Sequence, residues 1–129
     1  MRKQFVGVVV GAVVLGLAAS LAWAAASATV QIGSSFTAKG KEFPAGRYEF
    51  KPEGAAQNHL TIRNIDTGET LVLPVLTRLA DTGSAKAQIA FDITDGKHYL
   101  SEVHIPGTDG YAFQGASGQH SHAIVTQKE

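Results

Sequence analysis

From residue 29 onward, hydrophobic and polar positions alternate with a period of two, the repeat of a strand that buries one face. Arg47-Tyr48-Glu49-Phe50-Lys51 is the plainest case, with aromatics on one face and charges on the other. Asn58 to Arg63 repeats it, with Leu60 and Ile62 inward. Gln88 to Ile93 sets Ile89, Phe91 and Ile93 together. His98 to Ile105 sets Tyr99, Val103 and Ile105 against an outer face of His98, Leu100, Glu102 and His104. Tyr111 and Phe113 pair in the same way, and Ala123 to Thr126 makes a short last strand. Thr70 to Leu76 is apolar on both faces, as a central strand is, although Pro74 lacks the N–H a ladder needs and points to a bulge or an edge.

Turn residues separate these runs. Phe43-Pro44-Ala45-Gly46 joins the first two strands, and Asp66-Thr67-Gly68, Asp95-Gly96 and Pro106 to Gly110 read as hairpin loops in which glycine takes positive φ. Asp81 to Lys86 is a looser connector. No segment after residue 28 sustains a 3.6-residue period. The expected fold is all-β: one small antiparallel sandwich or barrel of about eight strands over residues 29–129.

The N-terminal pattern is different in kind. Arg2 and Lys3 precede an apolar stretch from Phe5 to Leu17, and no charge interrupts the chain from Phe5 to Ala26. Small residues follow, with cleavage sites after Ala22-Trp23-Ala24 and after Ala26-Ser27-Ala28. This predicts a helical secretory signal peptide over residues 1–28, cut between 24 and 28, and an exported protein of the periplasm or the extracellular space. The uncharged run is long enough to span a bilayer as an uncut anchor, but its alanine-rich second half is only weakly apolar.

Cleavage changes the charge. The full chain carries 11 Lys+Arg and 11 Asp+Glu, so losing Arg2 and Lys3 leaves the mature domain at −2 with neutral histidines. With no basic cluster, nucleic acid is not an expected partner, and neither is stable membrane association after the cut. The absence of cysteine removes disulfides, thiolate chemistry and a lipidated cysteine anchor.

The stretch Phe36 to Phe50 (FTAKGKEFPAGRYEF), then Asn58 to Ile62, Tyr99-Leu100-Ser101-Glu102-Val103, Pro106-Gly107 and Asp109-Gly110-Tyr111, resembles a group of small exported β proteins common in acidobacteria. That group carries a Pro-Ala-Gly-x-Tyr turn and a late Tyr-Phe-Leu-x-x-Val strand, and the resemblance covers most of the mature chain. It implies an exported all-β domain and no assigned activity. Members usually end in a charged tail, where this chain has Gly118-Gln119-His120-Ser121-His122.

That tail carries the main candidate chemistry. Histidines at i and i+2 on a strand share a face about 7 Å apart, a spacing that lets two imidazoles reach one metal. Such His-x-His pairs occur in cupins, whose pattern adds a glutamate three to four residues later, absent here. If the strand bearing His98, Glu102 and His104 neighbours the last one, His104, His120 and His122 form a three-histidine site with Glu102 beside it, suited to zinc or another transition metal. The alternative is a solvated, polar chain end.

Other motifs weigh less. Asp-Thr-Gly occurs at 66–68 and 81–83, but it is ordinary hairpin sequence, and no flap or apolar-apolar-Gly segment follows. No serine sits in Gly-x-Ser-x-Gly, and no phosphate-binding glycine pattern is present. The only tryptophan, Trp23, falls in the signal region, leaving Tyr48, Tyr99 and Tyr111 as stacking surfaces for a glycan or small ligand.

The expected function is an exported, non-enzymatic β module with a binding or structural role in an envelope or matrix. A variant is self-association, with residues 25–35 donated as a strand to a neighbour. The alternative is a metal-binding protein or small cupin-like metalloenzyme built on the His-x-His pair.

Overall fold

A computed structural model describes residues 27–116 and 118–128. The expected signal peptide lies outside the described residues except for Ser27 and Ala28. The domain is all-β and has two sheets.

In the first sheet β1 (Ala28–Ile32) pairs with β4 (Gly46–Glu53), β4 with β5 (His59–Asn64), and β5 with β6 (Thr70–Pro74), all antiparallel. The second runs in the order β11-β8-β9-β10-β7, from β11 (Ser121–Thr126) through β8 (Gln88–Thr94), β9 (Lys97–His104) and β10 (Gly110–Ala112) to β7 (Thr77–Leu79). A hairpin of β2 (Phe36–Ala38) and β3 (Lys41–Phe43) joins this sheet, Thr37 of β2 lying parallel to Tyr99 of β9. The described residues thus hold eleven strands where about eight were expected. Pieces of three residues such as β2, β3 and β7 are too short for alternation to register.

Two further expectations are corrected. The run from Thr70 begins an edge strand, not a central one: β6 closes the first sheet, ends at Pro74 opposite His59, and leaves Val72 47% exposed. Leu100, placed outward by strict alternation, is buried. The cause is a bulge. Ala90 pairs with Glu102 but Phe91 pairs with Leu100, so Ser101 is an extra residue and the inward face of β9 changes phase across it. Leu100 then faces the core, and His98 lies edge-on to the Phe91 ring, 5.8 Å between centroids.

Both sheets enclose one core. Phe36 sits at its centre, stacked on Phe43 at 5.2 Å, edge-on to Tyr48 of the first sheet at 5.1 Å and tilted against Phe91 of the second at 5.4 Å. Each such buried aromatic contributes roughly 2–3 kcal/mol of transfer free energy. Residues of the segment considered for donation to a neighbour lie in the same core: Val30 and Ile32 of β1 are buried, and β1 is laddered to β4 of its own chain from Ala28 to Ile32.

The Pro-Ala-Gly-x-Tyr segment acquires a physical meaning here. The Tyr48 hydroxyl reaches back to donate to the Pro44 carbonyl at 2.5 Å and accepts from Asn64 Nδ2 at 3.1 Å. Asn64 Oδ1 in turn accepts the N–H groups of Asp66 and Thr67. One buried tyrosine therefore ties the turn before β4 to the turn after β5. Burial pushes its phenol above the ordinary tyrosine pKa, with the Glu69 and Asp66 carboxylates acting in the same direction and the Asn64 hydrogen bond opposing them.

Candidate metal centre

Asp92 interrupts an otherwise apolar stretch of β8. Its neighbour Phe91 faces the core, so alternation sends the Asp92 side chain to the opposite face, directly across from His122 of β11. His120, two residues before His122, presents its ring on the same side. The two imidazoles meet edge to face, 4.9 Å between centroids and 88° between planes.

The carboxylate is nonetheless buried, because the chain after β10 crosses over it. Phe113 N–H donates to the Ser101 carbonyl at 2.8 Å, and Ala116 N–H donates to Asp92 Oδ2 at 3.1 Å. The crossing needs a glycine at 115. That residue has φ +61°, and a Cβ placed there would lie 2.3 Å from Asp92 Oδ2.

The remaining oxygen faces both histidines. His122 Nδ1 is hydrogen-bonded to Asp92 Oδ1 at 3.0 Å, and His120 Nε2 lies 3.5 Å from the same oxygen. His120 Nδ1 is 2.8 Å from the Gly118 carbonyl oxygen. A carbonyl only accepts, so Nδ1 is the nitrogen that donates here, and Nε2 is the nitrogen of this ring placed to ligate a metal. An imidazole fixed by a backbone carbonyl on its far nitrogen is the arrangement in which histidines hold metals.

The spacing fits that use. The three donor atoms all lie within 4.8 Å of one another. Ligands about 2.0–2.1 Å from a shared tetrahedral zinc stand roughly 3.3 Å apart, close to the 3.5 Å between His120 Nε2 and Asp92 Oδ1. Asp92 is 9% exposed at its side chain, His120 25% and His122 66%, so the centre has one buried anionic floor and one open side. An open depression lined by Thr94, Asp95, Gly118 and Gln119 adjoins His120.

The structure brings His120 and His122 together but not His104. His104 lies opposite Gln88, itself opposite Thr126, whereas the cluster forms where Asp92 meets His122. Four residues of β8 separate the two places, about 13 Å along the strand. Moreover, β8 stands between β9 and β11, so the strand bearing His104 does not neighbour the last one. Glu102 stays with His104, its Oε1 2.8 Å from His104 Nε2. The other ring nitrogen, Nδ1, is buried without a hydrogen-bond partner, against Gly110 of β10.

Asp92 is the functional candidate that the sequence reading missed. Its signal was an acid alone on the outward face of a strand whose other side is Ile89, Phe91 and Ile93. Pairing it with His122 requires the register of β8 and β11. No protein-family model matches the chain, and no match is found among curated proteins or solved structures.

Proposed function

We propose that this protein is an exported, non-enzymatic β-sandwich module that binds a divalent transition metal ion through Asp92, His120 and His122. The observation that carries the reading is the shared Asp92 Oδ1, faced by both imidazoles, with one donor atom from each of the three residues lying within 4.8 Å of the others. Two nitrogens and one carboxylate oxygen suit zinc, copper or nickel. The open side leaves room for water or a further ligand. A binding role rather than catalysis is supported by the placement of the centre on the outer face of a sheet, with His122 largely in solvent. Export is supported by the basic start and apolar run of residues 2–17, and by the resemblance to small exported β proteins.

The test is metal content of protein purified without a histidine tag, followed by titration of the stripped protein with zinc, copper and nickel. One bound ion per chain is expected, lost on combining His120→Ala with His122→Ala. Protein that carries no metal and ignores all three ions refutes the reading.

A further inference from the structure

The same turn is built twice in this domain with different residues. The β8–β9 hairpin turns on Asp95-Gly96 at φ 52° and 75°, and the β2–β3 hairpin turns on Lys39-Gly40 at φ 51° and 75°. Positive φ at both positions marks a type I′ turn, whose first position favours Asn, Asp or Gly. Asp95 obeys that preference and Lys39 does not. A lysine held in the left-handed region at a local cost asks for a compensating use of its charge.

Lys39 stands at a cavity of about 310 Å³, formed where β9 passes from pairing with β2 to pairing with β10. Its body is apolar, with Leu73, Leu76, Leu100 and Phe113 on the walls, and among the described residues Lys39 is the one charged member of the lining. Leu76 is 62% exposed, a large aliphatic side chain left in water at this rim. Among the described residues Lys39 has no ion-pair partner, a condition it shares with Arg47, Lys97 and Lys128 but not with Lys41, Lys51, Arg63 or Arg78, and of the four without a partner it alone lines the cavity.

From these features we infer that the cavity binds a small aliphatic carboxylate, with its chain against Leu73, Leu76, Leu100 and Phe113 and its carboxylate on the Lys39 ammonium. The unpaired cation selects the anion, and the apolar walls select the chain. At the packing density of protein interiors the volume fits on the order of ten carbon-sized atoms, the size of an eight-carbon acid. This site is separate from the metal centre, although the 113–116 crossing borders both.

Octanoate, octanol and octylamine, equal in chain length and different in head charge, provide the test by titration against ¹⁵N-labelled protein. Octanoate is expected to shift the amides of Leu73, Leu100 and Gly115 saturably, and octanol to bind about tenfold more weakly for want of the ion pair. Lys39→Asn supplies the preferred turn residue, so it should raise the melting temperature while reducing octanoate affinity to that of octanol. Lys39→Gln, which keeps an uncharged polar side chain, should show the same loss. The His120→Ala, His122→Ala double variant should bind octanoate as the parent does, which separates this site from the metal reading. No saturable shift at those amides, or unchanged octanoate affinity in either Lys39 variant, overturns the proposal.

Discussion

Gly115 and Asp92 approach so closely that a side chain at 115 and the carboxylate cannot share the space: a Cβ would fall 2.3 Å from Oδ2 and 3.1 Å from the Ser101 Cβ. This contact buries the one anion of the candidate centre and lets Ala116 N–H hold it. The site therefore depends on a residue with no functional group. Gly115→Ala is expected to cost about 1–3 kcal/mol, from the positive φ and the displaced carboxylate together, and to weaken metal binding in step. Urea unfolding and zinc titration of the same variant check both halves. Full stability with full affinity would show that the crossing does not position Asp92.

His104 offers the matching control. Its ring is held by Glu102, at the other end of β8 from the cluster. Metal stoichiometry of His104→Ala, read by elemental analysis, is expected to equal that of the parent. A loss there would restore the three-histidine arrangement.

Tyr48→Phe removes the donor to Pro44 and the acceptor for Asn64 while keeping the ring in the aromatic core. Stranding the buried Asn64 amide, and freeing the exposed Pro44 carbonyl, is expected to cost about 1–3 kcal/mol in denaturant unfolding. The pH dependence has a definite sign. Folding raises this phenol above 10.0, so the stability it contributes is fully present below pH 10 and declines as pH rises beyond it, where the unfolded chain ionises first. The Tyr48→Phe variant should lose that component of the alkaline decline.

Ile32 is fully buried on β1, which pairs with β4. Ile32→Ala is expected to cost about 2–4 kcal/mol by thermal or urea unfolding. Deleting residues 25–35 should unfold the domain, which circular dichroism would reveal. A folded truncated monomer would mean that β1 is dispensable to the core.

Ala28 is the first residue of β1, buried and opposite Phe50. A cut after Ala28 removes it from the ladder, and a cut after Ala24 leaves the whole strand. On the proposed export, N-terminal sequencing of the mature protein is expected to begin at Ala25. A start at Thr29 would contradict that expectation.

What the chain determines locally is its class. Period-two alternation in segments such as 47–51 and 58–63 encodes half-buried strands, because each residue's face follows from its neighbours alone. Glycine-centred turns such as Asp95-Gly96 are local for the same reason. The His-x-His pair was legible too, since two residues on one strand carry their own spacing.

Tertiary structure decided what lies across from what. The bulge at Ser101 changes the inward phase of β9 and buries Leu100, and no count along the chain locates an unpaired residue that only the partner strand defines. Thr70 to Pro74 reads as a central strand by its apolarity and lies at an edge, because neighbours are set by the sheet and not by the strand. The third member of the cluster is Asp92 and not His104, because β11 pairs with β8 in the register that sets His122 opposite Asp92. A one-residue slip of that register would turn every side chain of β11 to the other face. Composition put the histidines in the chain, and the pairing of two strands distant in sequence decided which carboxylate they meet.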